Sequence, residues 1–200
     1  LHVHSGCGNL GTYSYAATAR AAAEALGGSW ENMVIERGDS SKGLPFVLGQ
    51  FGSNSTYTQT RTNWAAGMDA KAKLQEIAAK DLGGAPGDYD TSDGKVFNKA
   101  NPSKSMSWAQ AAKRAIELGG KYSGKEMPKD LNPITKWATA GIAGTGLVGV
   151  TKDKRPKKGV TPGLVTAFVK VEVDTETGKV EVLEHVEVAD CGTAVHPQSL

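Results

Sequence analysis

Three short segments of the sequence concentrate residue types that bind phosphate, nucleotide or metal. The first is the glycine-rich stretch 6–11 (GCGNLG), which has the G-x-G-x-x-G spacing of dinucleotide-binding loops and lies upstream of Glu36. A pyrophosphate would lie over free helix amides there, with Glu36 on the ribose hydroxyls. Residues 44–58 lack a regular pattern, however, and the C-terminal strands read as a hairpin instead of further βα units. An NAD-binding domain is therefore the weaker alternative.

The second segment, residues 49–56, places glycine, hydroxyl and amide side chains directly before a predicted helix. Its polar members are Gln50, Ser53, Asn54, Ser55 and Thr56. Backbone amides at a helix N-terminus, together with hydroxyl donors, suit a phosphate. A helix N-cap with a polar entry loop explains the same residues without any ligand. The spacing alone leaves both interpretations open.

The third segment follows the last predicted strand and contains Cys191 and His196. These two side chains would suit a thiolate and its base, or, together with Cys7 and the N-terminal histidines, a metal site. The ordinary interpretation is a small thiol buried in a turn, with the histidine held before a proline. His2 and His4 share a strand face but have no further ligand types near them in the sequence, so we assign no metal ligand.

Composition narrows the classes of function. Two hundred residues with a net charge of +2 form an ordinary globular chain without the basic excess of a nucleic-acid-binding protein. The two cysteines cannot build a disulfide framework or a four-thiolate iron–sulfur site. The longest weakly polar stretch, residues 138–150, is too short to cross a bilayer. We expect no nucleic acid, no membrane span and a cytoplasmic location, with the periplasm as the alternative.

Alanine-rich periodicity and glycine stops predict three helices. They cover residues 14–26, residues 56–82 as the longest helix, and a stretch that opens with a capping box of Ser107 and Gln110 and ends near Leu118. Leu-Gly-Gly follows each of them, as expected of helix C-caps. These caps account for part of the glycine content, which is 25 of 200 residues against a usual ~7%.

Strands are predicted at residues 33–36, 95–97, 164–173 and 180–188. The last two alternate in polarity around a turn with Gly178, which indicates an antiparallel hairpin. Residues 121–160 are predicted to be irregular, and their basic run 152–158 to be a solvated loop or, alternatively, a contact for an anionic partner. One mixed α/β domain over residues 1–200 is the simplest architecture.

Taken in order, several of these segments resemble one family, the molybdenum-binding large subunit of the xanthine oxidase and aldehyde oxidase class of molybdenum hydroxylases. The resemblance covers nearly all of the chain and suggests a partial segment of such a subunit. Five stretches carry it: Gly11-Thr12-Tyr13-Ser14 before the first helix, residues 34–39 (VIERGD), residues 52–56 (GSNST), residues 171–178 (VEVDTETG), and residues 188–197 (VADCGTAVHP).

The resemblance implies a fold of helices packed on a mixed sheet with a C-terminal antiparallel hairpin, and it implies a cofactor. That cofactor is molybdopterin with molybdenum, in bacteria usually the cytosine dinucleotide form, held by glycine- and serine-rich loops. By position, the residues that would bind it form three groups: Gly11 and Thr12; then Gln50, Phe51 and Gly52 beside the metal with Ser53, Asn54, Ser55 and Thr56 on the phosphates; then Asp190, Cys191 and Gly192. Thr12 stands where many members have a glutamine that reaches the oxo ligand of the metal.

The resemblance also implies a reaction, the oxidation of an aldehyde or N-heterocycle with oxygen from water. The glutamate that serves as base lies, in the family, downstream of the stretch matching residues 190–197, so we assign no catalytic residue. The implied partners are the remaining segments of the molybdenum subunit, an iron–sulfur subunit, an FAD subunit and a small-molecule substrate. The isolated chain is expected to be inactive, and a non-catalytic assembly module of the same fold is the alternative.

Overall fold

The computed structural model describes residues 1–156 and 162–199. It separates into two compact units, Leu1–Lys154 and Arg155–Gln198, with Ser199 counted in the first. That residues 1–200 form a single domain stays a prediction.

The first unit begins with a parallel crossover. Strand β1 (His2–His4) leads through the glycine-rich loop into helix α1 (Ser14–Leu26), which returns the chain to strand β2 (Val34–Glu36). β1 and β2 pair in parallel, with Val3 opposite Ile35. Alanine occupies seven of the thirteen positions of α1, and nine residues of this helix are buried. Gly27 ends α1 in the left-handed conformation, with φ of 64°, as the Leu-Gly-Gly pattern predicts.

Helix α2 (Ser55–Leu82) is the longest described helix, and four of its residues belong to the main hydrophobic core. It packs along α1 at Gly67, where a Cβ atom would lie 2.7 Å from Ala25 Cβ and 2.9 Å from Ala22 O. A side chain at residue 67 would therefore force the two helices apart. Small residues on both helices thus allow their backbones to approach closely.

Below α2 lies a three-stranded antiparallel sheet in the order β3 (Tyr89–Ser92), β4 (Lys95–Asn98), β5 (Ser105–Ser107). The prediction of a strand at residues 95–97 is confirmed, whereas the two flanking strands were not predicted. Helix α3 (Trp108–Leu118) follows, and its predicted capping box is confirmed, since Gln110 N donates to Ser107 Oγ at 3.2 Å and Ser107 N to Gln110 Oε1 at 2.8 Å. The core between sheet and helices contains Leu26, Leu74, Ile77, Ala78, Tyr89, Val96, Ala111 and Ala115.

The prediction of an irregular stretch at residues 121–160 is wrong in part, because a fourth helix, α4 (Pro133–Ile142), lies within it. Asn132 caps this helix by accepting a hydrogen bond from Ile134 N at 2.9 Å, and Pro133 is its first residue. In the sequence, asparagine followed by proline suggests a turn or loop, yet the same pair is also a favourable helix start.

The described part of the basic run is a loop in which Lys152, Lys154 and Arg155 are exposed, as predicted. Asp153 forms an ion pair with Arg61 in which both side chains are largely buried, and Lys154 lies 3.4 Å from Asp130. The prediction for residues 157 and 158 lies outside the described residues. No helix in the described ranges is both long enough and apolar enough to span a bilayer.

The second unit is the predicted antiparallel hairpin, formed by β6 (Leu164–Val173) and β7 (Val180–Asp190). Its register pairs Leu164 with Asp190 and Val173 with Val180, with an irregularity after Lys170. Asp174 Oδ1 accepts from the amides of Glu176 and Thr177, and Gly178 has φ of 73°. The aspartate and the glycine therefore fix the turn, as expected for this loop length.

Candidate functional site

The loop between β1 and α1 approaches the loop that precedes α2. A Cβ atom on Gly6 would lie 2.2 Å from Pro45 O, a distance that excludes any side chain there. Gly11 takes φ of 92°, and its amide donates to Asn9 Oδ1 at 2.9 Å. The glycines of stretch 6–11 therefore serve a close approach and a tight turn, which are the backbone properties that a ligand-binding loop needs.

Gln50 joins these two loops through its side chain. Its Nε2 atom donates to Gly8 O at 2.7 Å and lies 2.7 Å from Cys7 Sγ, while Ser14 Oγ donates to its Oε1 at 3.5 Å. Cys7 is almost fully buried, with 1% of its surface exposed. The structure thus brings together the first two predicted groups, around Thr12 and around Gln50. Cys7 and Ser14 were missed because these contacts span 36 and 43 residues and leave no local signal.

The start of α2 presents donors that the protein does not use. The first main-chain bond of the helix runs from Thr58 N to Asn54 O, so the amides of Ser55, Thr56 and Tyr57 have no helical partner. Asn54 makes no capping bond with its side chain. The hydroxyls of Ser53, Ser55 and Thr56 make no hydrogen bond within the described part of the chain. Asn54 thus holds the N-cap position without a side-chain cap, and a polar entry loop without a ligand stays the alternative interpretation.

This donor set fits a diphosphate. Three amides and three hydroxyls lie at the positive end of a 28-residue helix, and no acidic side chain occurs in residues 49–57. Phosphate oxygens accept hydrogen bonds and prefer such a helix end. Ser53 and Thr56 are exposed and Ser55 is half-buried, so these residues are accessible to a ligand. The chemistry of the segment suits a pyrophosphate.

Thr12 is exposed, and its Oγ1 donates to Ser14 Oγ at 3.4 Å. Ser14 also donates a hydrogen bond to Gln50. Thr12, Ser14 and Gln50 are therefore linked by successive side-chain hydrogen bonds. Its short side chain stays close to α1 and does not extend outward as a glutamine would.

Asp190, Cys191 and Gly192 form a tight turn at the end of β7. Asp190 Oδ1 accepts from Gly192 N at 2.9 Å, and Gly192 takes φ of 69°. The expectation of a buried Cys191 is wrong, because this thiol is exposed. That these residues lie at the cofactor stays a prediction, since they belong to the second unit.

The dinucleotide interpretation of stretch 6–11 finds one supporting feature and two against it. The β1–α1–β2 crossover is parallel, as that motif requires. The Glu36 carboxylate, however, is hydrogen-bonded to Lys42 Nζ at 2.7 Å and to His2 Nδ1 at 3.0 Å, and these hydrogen bonds lower its pKa. In residues 1–156 and 162–199 the sheet ends after its two strands. Glu36 is thus committed to protein contacts rather than to a ribose.

Metal-binding side chains are not gathered in the described ranges, which contain no group of three or more His, Cys, Asp or Glu residues placed to hold an ion. Cys7 and Cys191 are both free thiols.

The fold and these loops define a molybdopterin cofactor-binding domain. The model of that family matches residues 1–200, and the chain belongs to the family. This confirms the resemblance and the mixed α/β fold that it implied.

Two kinds of relatives agree with this assignment. The molybdenum-binding subunit PaoC of the aldehyde oxidoreductase of Escherichia coli (strain K12) is 26% identical over 191 residues, which are 96% of this chain and 21% of that subunit. CO dehydrogenase from Oligotropha carboxidovorans is 25% identical with a TM-score of 0.65, over 96% of this chain and 21% of its own. Quinoline 2-oxidoreductase from Pseudomonas putida 86, at 21% identity and a TM-score of 0.64 over 96% of this chain and 22% of its own, shares the fold. The chain therefore spans about a fifth of the length of the proteins that it matches.

Proposed function

We propose that this chain is the molybdopterin-binding portion of a molybdenum hydroxylase that oxidises an aldehyde or N-heterocycle with oxygen from water. The observation that carries the proposal is the unused donor set at the start of α2, next to two loops that Gln50 holds together. Family membership supports the cofactor, and the aldehyde oxidoreductase relative supports the class of substrate.

The residues that would hold the cofactor fall into three groups by their chemistry. Ser53, Ser55 and Thr56, with the adjoining amides, would bind the pyrophosphate of the cytosine dinucleotide form through charge-assisted hydrogen bonds. Gln50, Phe51 and Gly52 would border the metal end, next to Gly11 and Thr12. Asp190, Cys191 and Gly192 would be the third group that contacts the cofactor. When bound, the cofactor supplies the two-electron redox chemistry of its molybdenum.

The contribution of this chain is to bind and orient the cofactor, and we assign it no proton-abstracting residue. A general base, the remaining segments of the molybdenum subunit, an iron–sulfur subunit and an FAD subunit would complete the enzyme. Two cysteines cannot ligate a four-thiolate cluster, so onward electron transfer would need those partner chains. We place the assembly in the cytoplasm.

Cofactor extraction from the purified natural complex tests the proposal. The expected result is a pterin carrying a cytosine nucleotide, together with molybdenum in near one-to-one ratio to this chain. NAD without pterin would overturn the proposal in favour of a nicotinamide domain.

A second candidate is a non-catalytic assembly module of the same fold. Thr12 favours it, because its hydroxyl is directed to Ser14 and its side chain is shorter than the glutamine common at this place. A complex that assembles with its iron–sulfur and flavin partners but contains no molybdenum would support that alternative.

A further inference from the structure

Segment 148–153 is fixed to helix α2 by a buried lysine and its carboxylate partner. Asp69 Oδ2 accepts from Lys73 Nζ at 2.6 Å and from Val150 N at 2.9 Å, and Lys73 Nζ also donates to Val148 O at 2.7 Å. Lys73 is 6% exposed. Breaking such a buried pair leaves a charge without a partner, which is strongly unfavourable. The segment therefore has a defined position on the helix.

The same segment reaches Arg61, which lies near the start of α2. Arg61 Nε donates to Asp153 Oδ2 at 2.5 Å, and the two side chains are 15% and 12% exposed. Between the two contacts, a Cβ atom on Gly149 would lie 2.5 Å from Ala66 O, so the backbones touch. A charge-assisted hydrogen bond to an acceptor held in this way fixes the direction of the guanidinium.

Arg61 also contacts the first turn of α2. Its Nη1 atom donates to the hydroxyl of Tyr57 at 2.9 Å, and its guanidinium carbon lies 5.2 Å from the centre of the tyrosine ring. Both contacts are of the kind that stabilises residues four apart on a helix. Tyr57 is the third residue of α2, and its amide is one of the three that have no helical partner. One guanidinium thus links segment 148–153 to the proposed phosphate-binding turn.

This turn has little capping of its own. Asn54 makes no capping bond with its side chain, and helix ends without caps fray. If the donor amides fray, the ligand has to order them, and the cost is subtracted from its binding free energy. A turn that is held in place before binding avoids that cost.

We propose that Arg61 is a positioning residue of the cofactor site. Anchored by Asp153, it holds the first turn of α2 through Tyr57 and keeps the amides of residues 55–57 in place for the pyrophosphate. The inference rests on the proposed function, because that function supplies the ligand. It assigns Arg61 no contact with the cofactor.

Residue-resolved amide exchange of the complete molybdenum subunit tests the proposal. The Thr58 amide makes the first main-chain bond of α2, so its exchange rate reports fraying of the first turn. Arg61→Met is expected to raise that rate about tenfold, and Tyr57→Phe, which removes only the hydroxyl, about threefold. The Ile77 amide, in the buried part of α2, is expected to exchange as in the wild type.

Two results of this exchange experiment would overturn the proposal. The first is an unchanged Thr58 rate in both variants. The second is an equal acceleration of Thr58 and Ile77, because Arg61 would then act on the stability of the whole helix. If Arg61→Met does not fold, Tyr57→Phe decides, since it keeps the ion pair with Asp153.

The rate of pterin loss from the complete subunit is the second measurement. Arg114→Met is the matched control, because it removes an ion pair with Asp81 near the other end of α2. Faster pterin loss is expected in Arg61→Met and in Tyr57→Phe, with the wild-type rate in Arg114→Met. Equal rates in Arg61→Met and Arg114→Met would overturn the positioning role and leave the proposed function in place.

The wild-type subunit separates the two proposals. Absence of pterin from it would contradict the proposed function, and the positioning role would be overturned with it. Accelerated Thr58 exchange in Arg61→Met would then show only that the residue stabilises the helix start.

Discussion

Gln50 Nε2 lies 2.7 Å from the carbonyl oxygen of Gly8, and this bond joins two glycine-rich loops that are 42 residues apart in the chain. Neither loop contains a helix or a strand. Held together, they place the hydroxyls and amides at the start of α2 beside the β1–α1 loop. Gln50 therefore contributes to the geometry of the proposed site, together with the close approach of Gly6 to Pro45.

Replacing Gln50 with leucine tests this dependence. The Gln50→Leu substitution removes the donor to Gly8 O, which is an exposed hydrogen bond, and the net loss is about 0.5–1.5 kcal/mol. We expect a lower melting temperature and reduced pterin retention in the purified subunit. Gln59→Leu is the control, because Gln59 lies on α2 and its side chain makes no hydrogen bond with a described residue. Equal retention in both variants would show that the loops do not need this bond.

The close approach of α1 and α2 at Gly67 gives a prediction about stability. Gly67→Ala places a Cβ atom 2.7 Å from Ala25 Cβ and 2.9 Å from Ala22 O, and overpacking of this kind costs about 1–3 kcal/mol. Gly141→Ala in α4 is the matched control, since nothing lies within 4 Å of its Cβ position. Alanine there should raise stability by up to about 1 kcal/mol through its higher helix propensity. Denaturant unfolding distinguishes the two, and a destabilised Gly141→Ala would contradict this packing.

The Glu36 carboxylate should respond to pH through Lys42 and His2. Two hydrogen bonds hold the pKa of Glu36 below its ordinary value of 4.5, and the one from Lys42 has a larger effect than the one from His2. A lowered folded pKa means that the stabilisation is fully present above the unfolded pKa and is lost as the pH falls through the folded value. An NMR titration of the Glu36 side-chain carboxyl carbon should therefore give a midpoint below 4.5, and Lys42→Met should raise it. A midpoint that is the same in both proteins would mean that the ion pair does not form in solution.

The elements with local signals could be predicted from the sequence. Ser107 begins the capping box of α3, and Gly27 is the C-cap of α1. The start of α3 and the end of α1 can therefore be predicted from adjacent residues. Helix α4 was missed because Asn132 and Pro133, its N-cap and first residue, are equally typical of a loop.

The candidate site was predictable in its chemistry but not in its geometry. Ser53 and Ser55 are recognisable as phosphate donors from the loop in which they occur. The contacts of Gln50 with Cys7 and Ser14 depend on how two distant loops pack, and no periodicity encodes such a pairing. The burial expected of Cys191 failed for the same reason, since exposure depends on neighbours far away in the chain.

We propose that the start of α2 binds the pyrophosphate of a pterin dinucleotide, and pterin retention in the Ser53→Ala, Ser55→Ala double variant tests this directly. Each lost bond to a charged phosphate is worth about 1.5–3 kcal/mol. Ser103→Ala, which removes an exposed hydroxyl from the loop between β4 and β5, is the control for purification losses. We predict that the double variant loses most of its pterin and molybdenum while Ser103→Ala keeps both. Full occupancy in the double variant would contradict this account.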